Sequence, residues 1–152
     1  MIEAELTAVL RDPERVRAAL AARAQVRPSR YEDTYYHRPD GGMAGHKLRV
    51  RTITEDGTAT TIVTLKEPAV DDMGSKPEHE TTVADAGVLH TILMTVGLTP
   101  LIVYEKQCES YGFQEGGRRL LATIARVPDL EETFLELETM TPAEELPAAM
   151  EL

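Results

Sequence analysis

The stretch that decides the fold is KLRVRTIT, residues 47–54. Charged and apolar side chains alternate along it, and this period of two places successive side chains on opposite faces of a β-strand. Arg49 and Arg51 therefore share one face, whereas Leu48 and Val50 share the other. Such a strand belongs to a sheet whose two faces have different surroundings, one polar and one apolar.

Three other segments repeat this spacing of like charges. They contain the pairs Glu3 and Glu5, Glu78 and Glu80, and Glu136 and Glu138. A single pair of this kind is common on an exposed strand, where cross-strand ion pairs stabilise it modestly. Four pairs in one short chain favour another arrangement, in which the charged faces line an interior and helices cover the apolar faces.

Strand-like segments fill most of the chain. We predict strands at residues 2–10, 30–36, 47–54, 60–65, 78–83, 102–111, 120–127 and 133–138. Turn-forming residues separate most of them, at 39–42, 55–57, 112–117 and 128–129. Consecutive hairpins make the sheet antiparallel, and closing it removes the exposed edges. The predicted fold is α+β, a closed eight-stranded antiparallel β-barrel with flanking helices.

Three further segments carry helix signals. Residues 14–24 follow Asp12-Pro13, and residues 85–96 begin at a capping Asp85, carry an apolar stripe and end at Gly97. At the C-terminal end, Thr141 is the expected N-cap of a short helix and Pro142 its first residue. We expect the first two helices to pack on the barrel and the third to cap it.

The composition limits the classes of function. A chain of 152 residues with 42% apolar content suits one domain, here residues 1–152, and its net charge of −10 opposes binding to nucleic acid. Cys108 is the single cysteine, so no internal disulfide forms. There is no leader-like start and no apolar run of the roughly 20 residues that span a bilayer. We expect a soluble cytoplasmic protein.

The charges predict the kind of ligand. If one lumen collects the strand cations, its positive potential attracts a polyanion even though the whole chain is acidic. The cations in question are Arg49, Arg51, Lys66, Lys76 and Lys106. Arginine binds phosphate oxygens through two hydrogen bonds and lysine adds a point charge, so the mixture suits a phosphate chain. Paired glutamates supply the oxygen ligands that Mg²⁺ prefers.

Several short motifs, taken in order, resemble those of the CYTH superfamily, which includes class IV adenylyl cyclases, thiamine triphosphatases and other triphosphate tunnel enzymes. The matching segments are Glu3-Ala4-Glu5, Asp33-Thr34-Tyr35-Tyr36, Leu48-Arg49-Val50-Arg51, Thr64-Leu65-Lys66, Lys76-Pro77-Glu78-His79-Glu80, Lys106 with Tyr111, and Phe134-Leu135-Glu136-Leu137-Glu138. Each motif alone has low specificity, but together they span nearly the whole chain in the family's order.

The resemblance implies a tunnel that binds a triphosphate together with Mg²⁺ or Mn²⁺. It implies phosphate binding by Arg49, Arg51, Lys66, Lys76 and Lys106, and metal binding by Glu3, Glu5, Glu136 and Glu138. It also implies catalytic roles for Glu5, Lys66 and Lys106, with Tyr35, Glu78 and Glu80 as further tunnel residues. Attack by water would give hydrolysis, whereas attack by a ribose 3′-hydroxyl would give a cyclic nucleotide and pyrophosphate.

The chain departs from the family pattern at three positions. Thr7 stands in place of a lysine, Cys108 in place of an arginine, and Ala125 where an aspartate is often found. These departures keep open a second reading, a catalytically altered or noncatalytic tunnel for another small phosphorylated metabolite. Under either reading the expected partner is a small molecule, and a homodimer is compatible with the sequence.

Overall fold

The computed structural model describes residues 2–72 and 75–149. Its strands are β1 (Ile2–Val9), β2 (Arg27–His37), β3 (Lys47–Glu55), β4 (Thr58–Lys66), β5 (Lys76–Val83), β6 (Thr99–Glu115), β7 (Arg118–Arg126) and β8 (Thr133–Thr141). Its helices are α1 (Pro13–Ala21), α2 (Ala86–Thr95) and α3 (Leu146–Ala149), the last preceded by a 3₁₀ turn at Ala143–Glu145. None of these helices is long and apolar enough to cross a membrane.

The strands close into one barrel in the order β1-β5-β4-β3-β2-β6-β7-β8. Every neighbouring pair is antiparallel. The eight-stranded antiparallel barrel predicted from the sequence is therefore confirmed. In this ring β8 lies four strands away from β3 in either direction, so the two strands face each other across the lumen.

The apolar core lies outside the barrel wall, between the strands and the helices. Leu20 of α1 packs on the outer faces of β6 and β7 at Tyr111, Ala122 and Ile124. In the same way, α2 covers the outer faces of β2 and β3, and α3 covers the start of β1. Because the helices cover apolar outer faces of β1, β2, β3, β6 and β7, the opposite faces of these strands are left to line the lumen with polar groups.

Two helices begin where the sequence predicts. The Asp12 side chain accepts a hydrogen bond from the Arg15 N–H at the start of α1, and Asp85 accepts one from Val88 at the start of α2. For the third helix, the predicted N-cap at Thr141 was wrong. Thr141 is the last residue of β8, and its hydroxyl accepts a hydrogen bond from Arg118. Helical geometry starts only after Pro142.

Strand β6 is longer at both ends than the sequence predicts. It runs for 17 residues, through the glycine-containing segment that we assigned to a turn. Gly112 lies in the strand and pairs with Leu121 of β7, so the turn is confined to Gly116 and Gly117, whose φ angles are +55° and +77°. Within residues 112–117, only these two glycines adopt the left-handed conformation that a tight turn requires.

A charged tunnel as the candidate functional site

Alternation along the strands brings the predicted site residues into one cavity. The cavity has a volume of about 470 Å³ and runs inside the barrel. Its lining includes Glu3, Glu5, Tyr35, Arg49, Arg51, Lys66, Lys76, Glu78, Glu80, Lys106, Glu136 and Glu138. Every site residue proposed from the sequence therefore lies on the tunnel wall, while the individual roles stay predictions.

Positive and negative charge occupy opposite walls of this tunnel. Strand β3 contributes Lys47, Arg49 and Arg51 to the lining. Strand β8, on the far side of the ring, contributes Glu136 and Glu138, and the adjacent β1 contributes another carboxylate pair. A ligand inside the tunnel thus contacts a basic wall on one side and an acidic wall on the other.

Arg51 reaches the lumen but is committed to a buried partner. Its Nε and Nη2 donate to the two carboxylate oxygens of Asp33, at 2.6 and 2.7 Å. Its guanidinium also lies 4.3 Å from the ring centroid of Tyr31. Burial by itself lowers the pKa of Arg51, but Asp33 raises it above the usual range. Two of its donors are therefore unavailable to the phosphate-binding role implied by the resemblance.

Lys66 is the centre of an acidic cluster. Its Nζ bonds the carboxylate of Glu3 and lies 3.4 Å from carboxylate oxygens of both Glu5 and Glu78. Burial lowers the pKa of Lys66, but these carboxylates raise it to about 12. The lysine therefore stays charged and holds the acids of β1 and β5 together.

Glu3 behaves differently from its neighbour Glu5. Burial raises the pKa of Glu3 to about 7, against the opposing effect of Lys66. Burial acts the same way on Glu5, but Lys66 and a hydrogen bond from the Thr7 hydroxyl outweigh it and lower the pKa of Glu5. The two carboxylates of one strand thus have separate titration ranges, because their hydrogen-bond partners differ.

The raised pKa of Glu3 leads to a pH prediction. A carboxyl group that binds its proton more tightly in the folded state adds stability at low pH, and this is lost as the pH rises from its usual 4.5 to about 7. We expect the free energy of unfolding of the native chain to fall over this window relative to that of Glu3→Gln. Urea unfolding of both proteins across pH 4–8 measures it, and a constant difference would contradict the assignment.

Lys106 is also neutralised within the tunnel. Its Nζ donates to a carboxylate oxygen of Glu136 at 2.6 Å, on the lumen side of β7, which separates β6 from β8. On β4, the Thr64 hydroxyl donates to Glu80 at 2.8 Å. These contacts fix the positions of two lumen carboxylates before any ligand binds.

Three other lumen cations have no such partner. Lys47, Arg49 and Lys76 form no hydrogen bond or ion pair with any residue in the described ranges. The Nε of Arg49 is moreover buried without a hydrogen-bond acceptor in that part of the chain. A buried donor without an acceptor costs free energy. An anion in the tunnel would supply the missing acceptor.

The acidic wall offers the oxygen ligands that a hard divalent cation needs, but not a complete cage. Within residues 2–72 and 75–149, no three Asp, Glu, His or Cys side chains are grouped to hold a metal ion. Glu5 and Glu138, however, are register partners on β1 and β8. Mg²⁺ commonly takes one or two carboxylates and completes its shell with water and substrate phosphates. The two glutamates fit a cation that binds together with a phosphate chain.

Glu138 has the surroundings of such a ligand. It makes no hydrogen bond or ion pair with a described residue. Burial raises its pKa, and the charges of Glu5, Glu136 and Glu78 raise it further, against the opposing effect of Lys66. A cation placed between Glu5 and Glu138 would relieve this repulsion.

Sequence reasoning missed several lining residues that the same alternation could have found. Lys47 stands two residues before Arg49, and Tyr104 two residues before Lys106. Tyr31 likewise precedes Asp33 and Tyr35 at strand spacing. The rings of Tyr35 and Tyr104 stack with centroids 6.1 Å apart, so this part of the tunnel wall is aromatic.

Comparison with known proteins places this tunnel in a family. Residues 1–151 match the model of the CYTH domain. The chain belongs to the CYTH family. A search of curated protein sequences gives no significant match. The CYTH assignment agrees with the order of motifs found in the sequence.

Solved structures share the CYTH tunnel fold. The PH1819 protein of Pyrococcus horikoshii is 26% identical with a TM-score of 0.84, covering 98% of this chain and 84% of that one. A candidate adenylate cyclase of Vibrio parahaemolyticus is 16% identical with a TM-score of 0.75, covering 99% and 83%. HpAC1 of Hippeastrum, a candidate adenylyl cyclase with a dominant triphosphatase activity, is 15% identical with a TM-score of 0.64, covering 99% and 84%. Because the Vibrio and Hippeastrum proteins are only 16% and 15% identical to this chain, their similarity to it concerns the fold alone.

The three departures from the CYTH pattern lie close together in space. Cys108 and Ala125 are register partners on β6 and β7, and both are buried. Burial raises the pKa of Cys108 to about 12, so its thiol stays neutral. Thr7 and Ala125 line one pocket beside Lys106 and Glu136. In this CYTH chain the departures form an uncharged patch next to the charged tunnel.

Proposed function

We propose that this chain binds a nucleoside or organic triphosphate in the tunnel and cleaves a phosphoanhydride bond with the help of a divalent cation. The observation that carries the proposal is a set of three lumen cations whose side chains have no partner among the described residues, Lys47 and Arg49 on β3 and Lys76 on β5, in one cavity with the carboxylates of β1 and β8. Membership in the CYTH family supports the same class of ligand. In keeping with the sequence-based expectation, the partner is a small phosphorylated molecule in the cytoplasm.

The free cations would hold the phosphates. Arg49 can bind two phosphate oxygens through its fork of N–H donors, while Lys47 and Lys76 add point charges. Lys66 and Lys106, which the resemblance gives as phosphate ligands, already hold carboxylates of the acidic wall. Their primary contribution is to hold those carboxylates in place.

The acidic wall would hold the cation. Mg²⁺ or Mn²⁺ bound by Glu5 and Glu138 would neutralise the charge that develops on phosphate oxygens as the anhydride bond breaks. The chain itself supplies position and electrostatic complementarity, because its cations fix the phosphates within a partly buried site. The lowered pKa of Glu5 keeps this carboxylate ionised for such a role.

The products of the reaction distinguish the two reactions that this site could catalyse, hydrolysis and cyclisation. Incubation with ATP and Mg²⁺ or Mn²⁺ should give ADP and phosphate if water attacks, or cyclic AMP and pyrophosphate if the ribose 3′-hydroxyl attacks. Tripolyphosphate and other organic triphosphates tested in parallel extend the assay beyond nucleotides. Absence of turnover on every triphosphate would exclude both enzymatic readings.

A second candidate function is binding without turnover. It is favoured by Thr7, Cys108 and Ala125, which replace two cations and an acid of the family pattern. Under this reading the tunnel binds a triphosphate or another phosphorylated metabolite tightly, and the ligand is recovered unchanged. Equilibrium binding measured beside the product assay separates this function from the enzymatic one.

Removal of Glu138 tests the acidic wall directly. Glu138→Gln leaves no described partner unpaired, so the fold should be retained. We expect turnover to fall on the order of 10²-fold, because one charge that stabilises the reacting complex is lost. Steady-state rates measure the effect, with the exposed Glu144→Gln as the matched control. Equal activity of the two variants would remove Glu138 from the site.

A further inference from the structure

An apolar side pocket lies beside the charged tunnel. This side pocket has a volume of about 450 Å³, and it shares Tyr104, Lys106 and Glu136 with the tunnel lining. The rest of its wall is formed by Thr7, Ala125, Val127, Asp129, Leu130 and Phe134. A ligand whose phosphates lie in the tunnel can therefore extend past the shared residues into the side pocket.

The wall of the side pocket offers few hydrogen-bonding groups. Outside the shared residues, the polar side chains that line it are Thr7, whose hydroxyl donates its hydrogen to Glu5 at 3.1 Å, and Asp129. Leu130 is 46% exposed, although it is apolar. An apolar group that covers Leu130 and Phe134 removes apolar surface from water, which favours binding.

Two departures from the CYTH pattern create this apolar character. Thr7 and Ala125 face the side pocket at the positions where the family pattern has a lysine and an aspartate. Those two residues would place charges on the wall. With Thr7 and Ala125 the wall carries no charge at either position.

We propose that the side pocket binds the hydrocarbon group of an organic phosphate whose phosphates lie in the tunnel. This inference rests on the proposed function and narrows the organic group of the phosphoanhydride ligand to the hydrocarbon of an apolar alcohol. A purine nucleoside presents more ring nitrogens and hydroxyls than the few polar side chains of this wall can satisfy, and burying the remainder costs free energy. Inorganic polyphosphate has no group that fills the side pocket.

Two matched ligand pairs test this substrate class on the full chain. The first pair is pyrophosphate and geranyl diphosphate, which differ by an apolar chain. The second is tripolyphosphate and ATP, which differ by a nucleoside. Calorimetric titration should show geranyl diphosphate binding at least about tenfold more tightly than pyrophosphate, since each buried methylene is worth about fourfold in affinity. ATP should bind no more tightly than tripolyphosphate.

Substitutions test whether the gain in affinity for geranyl diphosphate over pyrophosphate arises in the side pocket. Leu130→Gln changes an exposed side chain and should remove most of the advantage of geranyl diphosphate while leaving the affinity for pyrophosphate unchanged. Leu101→Gln is the matched control, because Leu101 is 60% exposed and does not line the side pocket. Its advantage for geranyl diphosphate should equal that of the native chain.

The possible outcomes separate this inference from the proposed function. If pyrophosphate binds and the geranyl chain adds nothing, the inference is wrong and the proposed function stands. A gain for ATP over tripolyphosphate that exceeds the gain for geranyl over pyrophosphate would assign the side pocket to a nucleoside and overturn the inference. If none of the four ligands binds, both the proposed function and the inference fail.

Discussion

Asp33→Ala is expected to lower the free energy of unfolding by roughly 3–5 kcal/mol, the usual cost of removing one partner from a buried ion pair. Asp33 is 0% exposed, and both of its carboxylate oxygens accept hydrogen bonds from Arg51. Without Asp33, the guanidinium of Arg51 stays buried among Tyr31 and the other lumen groups with its charge uncompensated.

Chemical denaturation at neutral pH measures this loss. The matched control is Glu32→Ala on the same strand, because Glu32 pairs with Arg30 at 3.2 Å on the exposed outer face. An exposed pair contributes no more than about 1 kcal/mol. If Asp33→Ala costs no more than Glu32→Ala, the Arg51–Asp33 pair does not stabilise the barrel.

Arg49→Met is expected to weaken tripolyphosphate binding by about 10–100-fold, because hydrogen bonds to a charged partner contribute roughly 1.5–3 kcal/mol. The same change should leave the free energy of unfolding equal or higher. Its physical reason is the buried Nε of Arg49, which has no acceptor among the described residues and is removed with the guanidinium. Arg49→Met should thus weaken the binding of tripolyphosphate without lowering the free energy of unfolding.

Calorimetry and denaturation on the same protein samples test both parts of this expectation. Arg30→Met provides the control, since Arg30 lies on the outer face and pairs with Glu32 and Glu105. That variant should bind tripolyphosphate as the native chain does. Equal loss of affinity in both variants would indicate a nonspecific effect of net charge.

Much of the tunnel was predictable because the period of a strand is a local property. Arg49 with Arg51 and Glu136 with Glu138 fix which face of β3 and β8 carries charge, and closure of the barrel turns those faces inward. The sequence predicted the position of the turn at Gly116 and Gly117, but it did not predict how short the turn is. Nothing local shows that Gly112 continues β6.

The sequence could not predict which of the lumen cations are paired with carboxylates. Arg51 and Arg49 are two residues apart and point to the same lumen, yet only Arg51 meets a carboxylate, because the register of β2 against β3 places Asp33 beside it. Lys66 likewise forms ion pairs with carboxylates of β1 and β5, and these two strands become neighbours only when the barrel closes. Register and closure depend on the whole barrel, and they decide which cations remain free for a ligand.

The most direct test of the central claim is a crystal structure of the chain with tripolyphosphate and Mg²⁺. We expect the phosphates inside the barrel, against Lys47, Arg49 and Lys76, with density for the cation between the phosphates and the pair Glu5 and Glu138. Tripolyphosphate bound on the outer surface of the barrel, with the tunnel holding only water, would contradict the account.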